Sequence, residues 1–265
     1  MKLTFLGTCS GTEPLPGIHH SSFVLQIGGL NYWFEAGENC VHKAAELGID
    51  PLMTAALFIS HHHIDHIGGL PNLLTCIRKL SAMQNRTLVR NNTLPIWFPM
   101  PRILEAGIAF AFGTWPVPFT IEHHTTEDGL LFADENLRVS AIHNTHLLEN
   151  GTDGWHAFSF LLEAEGMRIV FSGDVGKPEE LLPLMTGGCD MLIMETGHHK
   201  VEDVLQFAHR HGVKALRFTH HGREILNRRN EMEQLVSAFA AEHGMDIRIC
   251  FDGMEESLSA EETLR

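Results

Sequence analysis

The sequence predicts an α/β protein in which two β-sheets pack face to face and helices cover their outer faces, all within a single domain spanning residues 1–265. Short apolar runs of strand type fill both halves of the chain, with helical patterns between them. No Pro/Gly/Ser-rich linker or low-complexity stretch separates the halves. A chain of 265 residues that is 44% hydrophobic and 20% charged is long enough to bury one large, two-sided core.

In chain order, residues 2–6 alternate and run into the Gly-rich GTCSGTEPLPG, a strand feeding a loop. Residues 22–27 and 31–34, separated by Gly28, Gly29 and Leu30, read as a hairpin. Residues 41–47 have helical character and stop at Gly48, with Pro51 soon after. Residues 55–60 (AALFIS) are a short apolar run of buried-strand type that ends on the polar cluster HHHIDH. Strands are expected at 95–98, 117–122, 137–142, 157–163 and 167–171, and a helix at 101–112. The alternation then changes character: strand 192–195, helix 201–211 closed by Gly212, strand 215–219, helix 231–243 stopped by Gly244, and a last strand at 247–251 before an acidic tail.

Composition excludes several functional classes. With 19 Lys+Arg against 33 Asp+Glu the formal charge is −14, which weighs against a surface that grips nucleic acid throughout. Two stretches run the other way. Residues 67–104 carry Arg78, Lys79, Arg86, Arg90 and Arg102 with no acid, and residues 204–230 carry Arg210, Lys214, Arg217, Arg223, Arg228 and Arg229 against Glu224 alone. Each is either a solvated face or a positive rim for a small anionic substrate. No apolar run approaches the roughly 18 residues that span a bilayer, so no membrane association is expected. Five scattered cysteines without a CxxC pair give neither a disulfide framework nor a thiolate zinc knuckle, and the cytoplasm is the expected compartment.

Histidine is the outstanding residue: there are 19, as many as Lys and Arg together, and they come in clusters. The densest follows a buried strand, in Ser60-His61-His62-His63-Ile64-Asp65-His66-Ile67-Gly68-Gly69. Side chains two apart in extended chain point the same way, so His61 and His63 converge on one point. Asp65 and His66, where the chain turns into a helix, aim at a neighbouring one, and the glycine pair lets backbone pass close behind. Imidazole and carboxylate at this spacing are metal ligands. Further candidates each follow a predicted strand: His143-Asn144-Thr145-His146, Ser172-Gly173-Asp174, and His220-His221-Gly222. A site at one sheet rim could draw on all of them.

HxHxDH, then a lone histidine, then SGD, then a strand ending in THH is similar to the ordered motif set of the metallo-β-lactamase superfamily, and most resembles its ribonuclease Z branch. The opening LGTCSGT and the FEAGE at residues 34–38 resemble the same branch, and the likeness runs to about residue 251. The resemblance implies a four-layer αββα sandwich. It also implies His61, His63 and His146 on one ion, Asp65, His66 and His220 on a second, and Asp174 bridging. Asp65 and His199 are the catalytic candidates, His199 matching a loop histidine that donates a proton beside the metals. An all-nitrogen and oxygen ligand set suits two zinc ions, with manganese or iron as alternatives. A homodimer is implied as well.

The residues leave three pairs open, His143/His146, His198/His199 and His220/His221, and the second member, second member and first member respectively are the expected ones. His62 points away from its neighbours if the segment stays extended. His19 and His20 belong to an ordinary loop, and His123, His124, His156, His209, His211 and His243 to ordinary structure. The branch that grips tRNA carries a long Gly/Pro-rich arm between the third and fourth metal motifs, and His146 and Asp174 stand too close for one. The expected activity is therefore hydrolysis of small nucleotide-like or cyclic phosphodiesters by a hydroxide held at the metals. The alternatives are tRNA 3′ processing, lactone, ester or thioester hydrolysis, and a non-catalytic metal-binding module. Substrate-binding residues are not legible.

Overall fold

A computed structural model describes residues 1–11, 15–147 and 155–259. The polar loop expected between Leu147 and His156 falls largely outside the described residues, as does the end of the acidic tail.

Two seven-stranded mixed sheets face each other. The first contains β1 (Lys2–Gly7), β2 (Ser22–Ile27), β3 (Leu30–Phe34), β4 (Thr54–Phe58), β5 (Thr93–Phe98) and β6 (Thr120–Thr125) in that spatial order. The second runs in the mirrored sense through β7 (Gly129–Ala133), β8 (Arg138–His143), β9 (Phe158–Ala164), β10 (Met167–Phe171), β11 (Met191–Glu195), β12 (Ala215–Thr219) and β13 (Asp246–Ile249). A last strand, β14 (Glu255–Ser257), crosses back to pair antiparallel with β1, Lys2 opposite Ser257. Helices α1 (Cys40–Glu46), α2 (Ile64–Ile67), α3 (Leu70–Gln84) and α4 (Pro101–Phe112) lie in the first half of the chain. In the second half lie α5 (Leu182–Met185), α6 (Val201–Arg210), α7 (Arg223–Asn227) and α8 (Arg229–His243).

The pattern of burial explains the layering. In β4 every residue is buried, because Ala56 and Phe58 face the other sheet while Leu57, with Ile59 just beyond, faces the helices. In β11 Met191 and Ile193 point inward, and Leu192 and Met194 outward. Strands buried on both faces have to be continuous apolar runs. Between the sheets the centre is aromatic: Phe34 stacks on Phe23 and Phe58 at 4.9 and 5.0 Å, and Phe171 meets Phe23 edge-on at 4.9 Å. Separate outer cores lie under each helical layer. This is the four-layer αββα arrangement.

The helices α3, α5 and α7 and the strands β7 and β14 were not foreseen, and three of them matter for the architecture. The helix α3 opens with Pro71 in its first turn and directs Leu70, Leu73, Leu74 and Ile77 onto the first sheet. The edge strand β7 is mostly exposed and closes the second sheet. Within the acidic tail, β14 is held by Lys2 on Glu255 at 2.7 Å and by Arg217 on Glu256. Many of the charges in the two basic stretches are paired. Arg86 pairs with Asp50, Arg90 with Asp134, Lys214 with Asp190, buried Arg217 with Asp246 and Glu256, Arg228 with Glu231, and Arg229 with Glu233. Six of the eleven basic side chains in the two stretches are thus held in ion pairs, and no lysine or arginine is among the described residues lining the cavity beside the histidines.

Candidate metal centre

The C-terminal ends of β4, β8, β10, β11 and β12 lie along one edge of the sandwich, where a strand's last residues leave the ladder and aim side chains into a common space. At the end of β4, His61, His63, Asp65 and His66 enter that space. The return of the chain is tight: a Cβ on Gly69 would lie 2.1 Å from the Gly37 carbonyl oxygen, so no side chain is tolerated there. From the second sheet come His146 after β8, Asp174 after β10, Glu195 at the end of β11 and His220 after β12. Two of these positions hold non-glycine residues at positive φ, Glu35 (62°) beside the cluster and His220 (46°) within it, a cost that backbone pays where function demands a particular aim.

The side chains sort into three overlapping groups: His61, His63, His146 and Asp174; Asp65, His66 and His220, which Asp174 also approaches; and Asp174 with Glu195, His198 and His220. In the first, His146 Nε2 lies 3.3 Å from His63 Nδ1 and 3.6 Å from Asp174 Oδ2, with His61 Nε2 3.7 Å from the same oxygen. In the second, His220 Nε2 lies 3.1 Å from His66 Nε2 and 3.1 Å from Asp65 Oδ2, and both ring nitrogens lie 3.3 Å from Asp174 Oδ1. Each oxygen of Asp174 thus serves one set. Residues placed 159 positions apart in the chain, from His61 to His220, meet here.

The donors fit divalent cations. His61 Nε2 and Asp174 Oδ1 are buried and have no hydrogen-bond partner, which is costly unless a cation takes their lone pairs. His61 is oriented by Ser60 Oγ at 3.0 Å from Nδ1, which leaves Nε2 for the ion. Glu35 accepts the Ser60 amide and approaches His66 Nδ1 at 3.6 Å, and Glu195 approaches His220 Nδ1 at 3.7 Å. Each carboxylate faces the outer nitrogen of its ring at a distance beyond a hydrogen bond, its charge favouring a proton there and the other nitrogen toward the cluster.

Electrostatics divide the sets. Burial pushes the His61 pKa well below that of a free imidazole and brings His146 down to about 4, so the first set is neutral and ready to ligate. In the second set burial acts the same way, but Asp174 and the bond to Asp65 outweigh it and lift His220 to about 9; Asp174 and Glu35 likewise raise His66. Burial would raise Asp65, yet His220 and His66 hold it well below the usual carboxylate range. Without a cation the carboxylates keep these rings protonated, and an ion would have to displace those protons.

The three open pairs resolve by position. His146 enters the first set, whereas His143 stacks on Trp155 at 3.7 Å and bonds Asp128. His220 enters the second set, whereas the His221 ring bonds the Cys250 carbonyl oxygen at 2.8 Å. For the remaining pair the expectation is reversed. His199 turns away, its Nε2 2.9 Å from the Val175 carbonyl oxygen and its side chain 12% exposed. His198, 45% exposed, faces the cluster with Nδ1 3.0 Å from both oxygens of Glu195 and its ring 4.8 Å from that of His146. The geometry thus sets His198, rather than the expected His199, beside the cluster. Glu195 was not singled out among the site residues either, although it ends a strand at the same rim as the ligands. His62 stays out of both sets. His19 and His20 pair with Asp252 and Glu38.

The cluster opens into a cavity of about 410 Å³, lined by His63, Asp65, Asp174, His198, His220, Ile64 and a wall of small residues that includes Gly197. The first loop reaches it through Gly11, whose amide donates to Asp65 Oδ2 at 2.8 Å. A Cβ on Gly197 would lie 2.8 Å from His220 Nδ1. A larger cavity, about 590 Å³, lies at the other end of the strands around Arg217, far from the histidines, and its charged groups neutralise one another.

Fold and site together define a metal-dependent hydrolase of the metallo-β-lactamase superfamily, of ribonuclease Z-like type. The chain belongs to the Anti-Pycsar protein Apyc1 family, whose model matches residues 1–211. It is 25% identical over 274 residues to a ribonuclease Z of Methanothermobacter thermautotrophicus, a match that covers 83% of this chain and 86% of that one. Among solved structures it is similar in fold to the short form of human tRNase Z, with TM-score 0.70, 21% identity, and 97% of this chain and 99% of that one covered. The metallo-β-lactamase fold protein YhfI of Bacillus subtilis gives TM-score 0.71 at 15% identity, covering 96% and 98%. Among the described residues no helix is long and apolar enough to cross a membrane.

Proposed function

We propose that the protein is a dinuclear phosphodiesterase acting on small nucleotide-like or cyclic phosphodiesters. The observation that carries the reading is Asp174, which offers one oxygen to each of two histidine-rich sets at the mouth of a cavity of about 410 Å³. That volume suits a mononucleotide-sized ligand. Two divalent cations, zinc by the chemistry of the donors with manganese or iron as alternatives, would supply charge against a phosphoryl group and acidify a water. His61, His63 and His146 would hold one, Asp65, His66 and His220 the other.

The remaining chemistry belongs to the chain. Glu195 engages His198 Nδ1, so Nε2 is the atom left to hold a proton for the leaving oxygen. His199 works at a distance: through the Val175 carbonyl it fixes the loop that carries Asp174. Asp65 is held toward the second set by the Gly11 amide and His220. Gly197 packs against the His220 ring so closely that a Cβ would lie 2.8 Å from Nδ1, which keeps that ring in place. A cytoplasmic homodimer accompanies this reading, and sedimentation of the purified protein tests the dimer.

The ribonuclease Z relative favours a second reading, tRNA 3′ processing. The short interval between His146 and Asp174 weighs against it, as does the internal pairing of the basic residues. Metal-reconstituted protein is assayed on bis(p-nitrophenyl) phosphate, a 3′,5′-cyclic nucleotide, precursor tRNA, a lactone and a thioester. Turnover of the two small phosphodiesters is expected. Cleavage of precursor tRNA alone, with a steep salt dependence, would replace the proposal by the second reading, and turnover confined to lactone or thioester would refute both.

A further inference from the structure

We propose that Ile64 is the surface on which the nucleoside part of the substrate packs, a specificity determinant for an organic group attached to the reacting phosphate. The inference rests on the phosphodiesterase reading above and deepens it. Ile64 stands between two ligand residues, His63 and Asp65, at the first position of α2. Consecutive Cα atoms are about 3.8 Å apart, so its side chain is fixed within one residue's length of the cluster on either side. It is 57% exposed and lines the cavity.

Two comparisons separate Ile64 from an ordinary surface isoleucine. Ile67, at the other end of the same short helix, packs against the core beneath the first helical layer, whereas Ile64 joins none of the three hydrophobic clusters among the described residues. Within the cavity, Ile64 is the sole apolar side chain among the described lining residues; the others are ligands, His198, Ser10, Gly11 and Gly197. Lysine and arginine are absent from that lining. Cations held by the histidine–carboxylate cluster would therefore have to meet the phosphate, and the apolar face of an attached group has one side chain to cover. Covering it removes exposed hydrocarbon from water, which is favourable in proportion to the area buried.

The test measures equilibrium binding to the metal-loaded protein by calorimetry, with adenosine 5′-monophosphate and inorganic phosphate as probes and metal content determined on the same samples. The unsubstituted protein is expected to prefer the nucleotide to phosphate. Ile64→Ala is expected to weaken the nucleotide about 15- to 50-fold while leaving phosphate affinity and metal content unchanged, since about two to three buried carbons are lost. Ile64→Leu, of equal volume, retains the nucleotide. Equal weakening of nucleotide and phosphate by Ile64→Ala, or no weakening of either, overturns the proposal. Both readouts are binding, so they decide the role of Ile64 even where the unsubstituted protein hydrolyses no phosphodiester, a result that would instead refute the activity proposed above.

Discussion

On the proposal that two ions are bound, Glu35→Gln isolates one of them. Glu35 is fully buried and sits on the turn after β3 at a positive φ of 62°. Its two carboxylate oxygens accept the Ser60 amide at 3.1 and 3.3 Å, and one of them lies 3.6 Å from His66 Nδ1. Glutamine keeps the shape and one carbonyl acceptor for the Ser60 amide, so the support of His61 through Ser60 survives. What is lost is the negative charge facing His66, which favours a proton on its outer nitrogen and strengthens its inward nitrogen as a donor. Removing such a partner costs about 10- to 100-fold in metal affinity, or about 1.4 to 2.8 kcal/mol at 25 °C. The loss should fall on the set containing Asp65, His66 and His220 and spare the set containing His61, His63 and His146. Competition with a graded series of chelators, followed by elemental analysis, reads the two release steps separately. A uniform loss of both ions would show that Glu35 supports the fold of the whole rim, and unchanged release of both would show that it does not act on His66; either refutes the assignment.

Other outcomes follow from the same geometry. His198→Ala should lower turnover about 10²- to 10⁴-fold with metal content unchanged, whereas His199→Ala, whose ring bonds the Val175 carbonyl and lies 3.5 Å from Glu195 outside the cluster, should cost less; reversed magnitudes in kcat would restore His199 as the proton donor. In chelator-treated protein, His220 with its pKa raised to about 9 contributes stability that is fully present below about pH 6.5 and is lost as pH rises through about 9, which thermal melts across that range would record. The same proton must leave when an ion binds, so metal affinity should increase with pH up to about 9, and a flat profile would count against His220 as a ligand. Phe34→Ala removes the ring stacked between Phe23 and Phe58 and should destabilise the fold by about 3–5 kcal/mol in denaturant titrations.

Much of this architecture was legible where local pattern and tertiary role coincide. The run AALFIS reads as a strand buried on both sides because Ala56 and Phe58 serve one core and Leu57 and Ile59 another. The HHHIDH cluster announces ligands because spacing alone puts His61 and His63 on one side. What escaped depends on partners distant in sequence. Glu255 and Glu256 look like an acidic tail until Lys2 and Arg217 claim them and β1 pairs with their backbone. Arg90 and Arg217 look like free cations for want of any sign of Asp134 or Asp246. Adjacent histidines 198 and 199 are equivalent in spacing, and only the Val175 carbonyl, 24 residues away, captures one ring and leaves the other to the cavity.

The two halves of the chain contribute different ends of the same tether. His61, His63, Asp65 and His66 hang from the first sheet, while His146, Asp174 and His220 hang from the second. Ions seated among them would rivet the two slabs together at one rim, adding to the aromatic packing between them and to directional bonds such as Arg217 on Glu256 and the Phe158 amide on the Ser60 carbonyl. Emptying the rivet holes should let the slabs slide, and amide hydrogens at the ends of β4 and β12 would then exchange faster while those deep between the phenylalanines stay protected.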